Sequence, residues 1–148
     1  SSVTVRAGRP SDLDALHDLE TTVFTSDRLT RRALNRHLQS HAAKVLVAVG
    51  ADSCLGYALV LFRKDSMAAR LYSLAVDRNA RGRGIGGMLL QAGNRAAKRR
   101  GRVQMRLEVR ADNAAARKLY MDAGFRARLV IGDYYQDGMA AVRFEKAL

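Results

Sequence analysis

R-G-R-G-I-G-G, from Arg81 to Gly87, is the stretch on which the fold turns. Four glycines and two arginines fall within seven residues. They sit between a strand-like run, L-Y-S-L-A-V (Leu71 to Val76), and a helix-like run from Met88 to Lys98. A helix start presents main-chain N–H groups without intrahelical partners, together with the positive end of the helix dipole. Glycines let an anion approach that backbone with no Cβ in the way. Arg81 and Arg83 add positive charge. The stretch therefore predicts a phosphate site. A glycine-rich turn with solvated arginines explains the same letters, and the loop alone leaves both readings open.

The charge of the chain gathers around that loop. Its 148 residues include 26 Lys or Arg and 14 Asp or Glu, a formal net charge of +12. Residues 78–118 hold 12 basic and 2 acidic side chains, residues 1–77 hold 10 and 8, and residues 119–148 hold 4 of each. Charge focused in this way raises the local concentration of an anionic ligand. The length predicts a single domain over residues 1–148, large enough to bury a core without staples. Hydrophobic residues at 48% and charged residues at 27% are the usage of an ordinary globular chain. No apolar run approaches the ~18 residues of a membrane span, and no basic-then-apolar leader opens the chain. The single cysteine, Cys54, has neither a disulfide partner nor the companions of a zinc site. The expectation is a reducing, cytoplasmic setting with no metal and no membrane partner.

Outward from the loop, the hydrophobic pattern divides the chain into eleven elements. V-T-V-R (Val3 to Arg6) reads as a short strand. Pro10 with Ser11 or Asp12 opens a helix whose Leu13, Leu16, Leu19 and Val23 recur at three- and four-residue spacing. Thr30 caps a second helix, running to about Ser40. Val45–Val49 and Leu55–Phe62 form a hairpin across G-A-D-S, and a third strand runs from Arg70 to Val76. After the loop and its helix, Gly101–Arg110 alternates strictly, with Val103, Met105, Leu107 and Val109 on one face and Gln104, Arg106, Glu108 and Arg110 on the other. Asp112 or Asn113 caps a helix with the stripe Ala116, Leu119, Tyr120 and Ala123, which Gly124 ends. Phe125–Ile131 and Met139–Glu145 close the chain as two antiparallel strands. The order β-α-α-β-β-β-α-β-α-β-β predicts an α/β domain with a mixed sheet.

Three phosphate-binding patterns compete for the loop. The P-loop pattern G-x-x-x-x-G-K-[ST] is absent. The dinucleotide pattern G-x-G-x-x-G is present as Gly82, Gly84 and Gly87, with Glu108 about 20 residues on where a ribose ligand belongs. Against it, residues 77–80 separate the strand from the loop, and only about 60 residues follow, too few for a doubly wound sheet. The same letters also read as [Q/R]-x-x-G-x-[G/A] over Arg81, Gly82, Arg83, Gly84, Ile85 and Gly86.

In that third form the chain resembles the GNAT superfamily of N-acetyltransferases. The specific part is L-Y-S-L-A-V-D-R-N-A-R-G-R-G-I-G-G-M-L-L followed by L-E-V-R-A-D-N-A-A-A-R-K-L-Y-M-D-A-G-F, which is similar to RimI-type enzymes acting on the N-terminal alanine of a ribosomal protein. The resemblance implies an α+β fold: a mixed, mostly antiparallel central sheet with a splayed parallel strand pair and helices on both faces. It implies acetyl-CoA as cosubstrate. The main chain of Leu74, Ala75 and Val76 would pair with the pantetheine arm, and the amides from Arg81 through Gly82, Arg83, Gly84, Ile85 and Gly86 to Gly87 would hold the pyrophosphate. Asn113 would contact the arm. Glu108 matches a general base acting through water, and Tyr120 the acid that protonates the thiolate. Tyr134 and Tyr135 fall in the loop that borders the peptide groove. The implied acceptor is the N-terminal α-amine of a protein or peptide, ribosomal in the RimI case. The oligomeric state stays open.

The residues' own chemistry is compatible with these roles. An α-amine, with a pKa of ~7.7–8.0, needs only a modest base, whereas a lysine near ~10.4 needs more help. Arg106 and Arg110, on the same strand face as Glu108, are expected to hold its carboxylate ionised. Spacing alone also permits a charge-balancing role for Glu108 and a core role for Tyr120. His17, His37 and His41 lie scattered on helical segments, and Cys54 falls in a turn. The acceptor side departs from the RimI pattern: the chain has no tryptophan, and V-F-T-S-D-R-L-T-R-R-A-L and Y-Y-Q-D-G-M-A-A-V-R-F-E-K-A-L resemble a RimI-like subgroup found fused to a peptidase-like domain. Two other functions remain in play. One is a small-molecule acceptor such as a polyamine or aminoglycoside, which needs an acidic pocket built from Glu20, Asp27, Asp133 and Asp137. The other is a non-catalytic RNA- or ribosome-binding module. No aromatic residue interleaves the basic run from Arg95 to Arg106, so nucleic acid is not required.

Overall fold

The computed structural model describes residues 2–148 and runs β1 (Val3–Ala7), α1 (Leu13–Val23), α2 (Arg31–Gln39), β2 (Ala43–Gly50), β3 (Ser53–Leu61), β4 (Ala68–Val76), α3 (Ile85–Arg99), β5 (Gln104–Arg110), α4 (Ala114–Asp122), β6 (Arg126–Ile131) and β7 (Ala141–Ala147). The seven strands form one sheet in the order β1-β2-β3-β4-β5-β7-β6. Every neighbouring pair is antiparallel except β4–β5. This is the mixed sheet that the element order implied, mostly antiparallel as the resemblance implied.

Strands β2 and β3 are apolar on both faces because both faces are covered. Leu46 and Ala48 of β2 and Ala58 and Val60 of β3 pack with Ile85, Leu89, Leu90 and Ala97 of α3, in a layer that also takes Tyr120 of α4. Their alternates, Val45, Val47, Tyr57 and Leu59, pack with Leu16 and Leu19 of α1 and Leu34 of α2. Thr30 caps α2 by accepting the Ala33 N–H (3.1 Å), and Asn113 caps α4 by accepting that of Ala116 (3.1 Å). Asp12 instead accepts the Arg9 N–H (2.7 Å) and a forked pair from Arg6 (2.9 and 3.0 Å), closing a single 3-10 turn ahead of α1.

Some boundaries differ from the sequence reading. Helix α3 begins at Ile85, so Gly86 and Gly87 lie inside its first turn rather than before it. Strand β7 is shifted two residues along, to Ala141–Ala147. Cys54 lies in β3 and not in the turn; its thiol contacts the Gly56 carbonyl (3.5 Å), and burial pushes its pKa up.

The feature that positions everything else is the parting of β4 from β5. Their pairing runs only from Ala68↔Gln104 to Leu71↔Leu107. At the same level β4 carries a bulge: Leu59 of β3 faces Ser73 and Val60 faces Leu71, so Tyr72 is the extra residue. A bulge bends a strand and reverses which side chains face which layer beyond it. Ala69 and Leu71 therefore share the α3 layer with Leu74 and Val76, while Ala75 packs with α1 and α2.

Gly56 holds β3 against the bent end of β4. A Cβ there would lie 2.7 Å from the Ala75 carbonyl oxygen and 3.1 Å from Leu89 Cδ1. Gly56→Ala is expected to force the strands apart and cost about 1–3 kcal/mol in urea denaturation, the range for overpacking. Gly132→Ala, where a Cβ meets nothing within 4 Å, should stay within about 0.5 kcal/mol of the parent.

Candidate active site

Where β4 and β5 separate, a cleft of about 620 Å³ opens between them. Its walls are the end of α1 with the loop to α2 (Val23, Phe24, Asp27, Leu29), the start of α4 (Asn113, Ala116, Tyr120) and the β6–β7 loop (Tyr134, Tyr135). Asp77 N–H donates to the Leu55 carbonyl of β3 (2.8 Å). By the two-residue alternation of a strand, the main-chain groups of Leu74 and Val76 face away from β3 into the opening. Ala75 pairs with Tyr57 of β3, and its carbonyl points at Gly56. Of these three positions, two offer backbone to the cleft.

The glycine loop stands at the mouth of α3. Gly82 and Gly84 have φ of 82° and 76°, the left-handed region that glycine tolerates. A Cβ at Gly82, Gly84 or Gly87 would meet nothing within 4 Å, so the space over the loop is open. Met88 N–H donates to the Gly84 carbonyl (3.1 Å) as the helix starts. The N–H groups of Ile85, Gly86 and Gly87 precede it and have no acceptor within the helix. Arg81 and Arg83 are both exposed beside them. Open backbone donors at a helix N-terminus, with arginines alongside, fit a diphosphate. Asn113 spends its Oδ1 on the α4 cap, which leaves its amide N–H groups for the cleft.

Glu108 projects from β5 with its side chain only 3% exposed. Its Oε1 accepts from Arg70 Nε (2.9 Å) and Nη2 (2.8 Å), and its Oε2 from Arg143 Nε (2.7 Å). This corrects the expectation for Arg106 and Arg110. Arg106 instead pairs with Glu145 (3.1 Å), and Arg110 with Asp137 (2.6 Å) and Asp112 (3.3 Å). Residues two apart on a strand are ~6.6 Å apart, whereas directly opposite residues on an antiparallel pair come within ~4.5–5.5 Å. Arg143 is the register partner of Glu108 on β7, so it outcompetes both sequence neighbours.

Tyr120 is buried, edge-on to Phe125 (5.9 Å between centroids) and tilted against Phe144 (6.3 Å). Burial first, then the proximity of Tyr135, pushes its phenol well above the ordinary tyrosine value. The Tyr134 hydroxyl accepts from Arg70 Nη2 (2.8 Å), so one guanidinium ties the β6–β7 loop to Glu108. Tyr135 stacks edge-on to Tyr134 (4.9 Å) with the Arg110 guanidinium 5.1 Å from its ring centroid. Burial and then Tyr134 push its phenol up to about 12. His17, His37 and His41 do not line the cleft.

The sequence reading missed one buried network. Glu20 of α1 is 2% exposed and is the one charged residue in the core among the described residues. Its Oε2 accepts the Leu29 N–H (2.7 Å), its Oε1 accepts the Tyr57 hydroxyl, and that hydroxyl lies 3.1 Å from Ser73 Oγ. The network ties the α1–α2 loop, a cleft wall, to β3 and to the bulged part of β4. The signal was available, because Glu20 falls on the apolar stripe of Leu16, Leu19 and Val23, where a charge needs a reason. Of the four acids expected to build a pocket for a polycation, Glu20 and Asp27 line the cleft, and Asp133 and Asp137 do not. Glu20 is consumed by this network, Asp137 is held by Arg110, and Asp27 accepts the Gln136 N–H at 3.4 Å.

This sheet and cleft define a class that the comparisons identify. Residues 12–148 match the family described as Acetyltransferase (GNAT) domain. The chain is 34% identical over 137 residues to the N-alpha-acetyltransferase RimI of Mycobacterium tuberculosis, covering 90% of this chain and 85% of that one. It is 43% identical over 67 residues, 45% of each chain, to the ribosomal protein bS18-alanine N-acetyltransferase of Salmonella typhimurium. The crystal structure of a ribosomal-protein-alanine N-acetyltransferase from Brucella melitensis matches with a TM-score of 0.86 at 25% identity, covering 98% of this chain and 99% of that one. The chain belongs to the GNAT family, as an acetyl-CoA-dependent N-acetyltransferase.

Tyr57→Phe removes the only hydroxyl that, among the described residues, reaches Glu20 Oε1, while leaving the carboxylate buried. It should lower stability by about 1–3 kcal/mol in urea denaturation, the cost of an unsatisfied buried polar group.

Proposed function

We propose that this protein moves the acetyl group of acetyl-CoA to the N-terminal α-amine of a protein or peptide. The observation that carries the reading is that Glu108 and Tyr120 line a single cleft, with the open main chain of Leu74 on its β4 wall. In this reading the diphosphate lies on the N–H groups of Ile85, Gly86 and Gly87, with Arg81, Gly82, Arg83 and Gly84 around it. The thioester arm lies along Leu74 and Val76, beside Asn113. The acceptor enters between the α1–α2 loop and Tyr134 and Tyr135.

The chemistry balances within the cleft. The amine nitrogen bonds to the thioester carbonyl carbon, the C–S bond breaks, and the thiolate leaves with the bond's electron pair. Glu108 takes the proton lost by nitrogen through a water, using the lone-pair site left by its three guanidinium bonds. Tyr120 gives its proton to the thiolate, and its burial keeps that proton in place until it is needed. The α-amine, with a pKa of ~7.7–8.0, needs only a modest base. The names of the relatives support an α-amine acceptor, with a ribosomal protein as the corresponding substrate.

The deciding experiment offers peptides with free α-amines, α-blocked lysine peptides and spermidine with acetyl-CoA, and reads products by mass spectrometry. α-N-acetyl peptides are expected; acetyl-lysine or acetyl-polyamine as the main product would overturn the reading. Glu108→Gln and Tyr120→Phe should each lower kcat by about 10²–10⁴ with coenzyme A affinity retained in calorimetry. Since the Tyr120 pKa is raised, its neutral form persists to higher pH, and the alkaline limb of wild-type kcat should lie above the ordinary value of ~10. Gly84→Ala places a Cβ over the loop at a φ that strains it, and should weaken coenzyme A binding at least about tenfold.

A further inference from the structure

Beyond the cleft, the sheet keeps one bare face. The layer beneath α1 and α2 takes its core residues from β2, β3 and β4 only, so neither helix packs on β5, β7 or β6. This face carries arginines and glutamates in register. Arg70 stands beside Arg106, Arg106 opposite Glu145, Glu108 opposite Arg143, and Arg126 opposite Glu145.

Two ion groups result. Glu108 is shared by Arg70 (2.8 Å) and Arg143 (2.7 Å), and Glu145 by Arg106 (3.1 Å) and Arg128 (3.3 Å). At the bottom of the ladder the glutamate side chains are 3% exposed for Glu108 and 17% for Glu145. The four arginines stay 29–60% exposed at the side chain. A guanidinium has five N–H donors, and these spend only one to three on protein acceptors, so donors remain for solvent or a ligand. With Arg126, five arginines face two glutamates. The first group is in the wall of the cleft, since Arg70 and Glu108 line it. The second lies two residues further along β5 and β7, ~7 Å away. An extended acceptor chain covers that distance in two or three residues at ~3.3–3.6 Å each.

We propose that this arginine–glutamate ladder is a docking track for an acidic stretch of the acceptor, directly following the residues that enter the cleft. The proposal rests on the α-amine reading above. A surplus of three positive charges, with four of the five arginines positioned by the two glutamates, suits two or three carboxylates that take guanidinium forks. A nucleic acid presents a far denser run of phosphates and favours cations not already shared with carboxylates.

The test uses decapeptides with identical first two residues and Asp or Glu, Ser, or Lys at positions 3–6, acetylated by the wild-type protein at low and moderate salt. The acidic series should show a KM about three- to tenfold below the serine series, the summed effect of two or three exposed ion pairs, with the advantage fading as salt rises. The lysine series should show the highest KM. Arg126→Glu/Arg128→Glu, checked for folding by its thermal melt, should reverse the order of the acidic and lysine series through KM rather than kcat. Equal KM values across the three series, or an unchanged order in the double variant, would overturn the track while leaving the α-amine reading intact. Tight binding of a mixed-sequence RNA that the double variant abolishes, with no acidic-peptide effect on KM, would assign the face to nucleic acid instead. Failure to acetylate any free α-amine would remove the α-amine reading and the track with it.

Discussion

The separation of β4 from β5 after Leu71 and Leu107 is the constraint on which the rest of the molecule depends. Parallel strands that stayed paired would satisfy each other's backbone and leave nothing for a substrate. The bulge at Tyr72 bends β4 away, and the chain beyond it is held on one side only, by β3. Unpaired main-chain groups at the middle of a sheet would ordinarily be a liability. Here they line a cleft that also meets the open end of α3, so a ligand able to accept and donate along a strand and to place an anion on the helix mouth completes both. Gly56 allows β3 to come close enough to hold the bent segment, and Leu74 and Val76 anchor it in the α3 layer.

Charge around the cleft is distributed by cross-strand register rather than by local sequence. Arg70, Arg106, Arg110 and Arg143 each find a carboxylate on a neighbouring strand or loop. Arg70 also reaches Tyr134, and so couples the β6–β7 loop to Glu108. The opposite wall of the cleft is secured differently. Glu20 and Tyr57 join the α1–α2 loop to β3 and to Ser73 through hydrogen bonds in a dry environment, where an unmade bond is costly. Both walls of the cleft are thus tied to the sheet, one by ion pairs open to solvent and one by a buried network.

Most of the fold was legible because its signals are local. The apolar spacing of α1, the strict alternation of β5, Thr30 and Asn113 as caps and Gly124 as a stop are fixed by residues within a turn or two of each other. The element order was therefore readable, and the glycine loop could be placed before a helix. The boundary error at α3 has the same origin. Glycine weakens the helical pattern, so Gly86 and Gly87 looked like loop although they begin the helix.

What lay beyond the sequence was everything decided by partners distant along the chain. Glu108 seemed to belong to Arg106 and Arg110, two residues away, but the pleat keeps those side chains apart and the register of β7 brings Arg143 opposite. Glu20 looked like a misplaced charge until the fold set Tyr57, Leu29 and Ser73 around it. By itself the sequence determined which segments are helix or strand and that a glycine-rich loop flanked by arginines opens α3, since propensity, capping and periodicity act within a few residues. Only the tertiary structure decided which charges pair and where the strands part, because those follow from register and a single bulged residue, neither of which leaves a periodic mark in the chain.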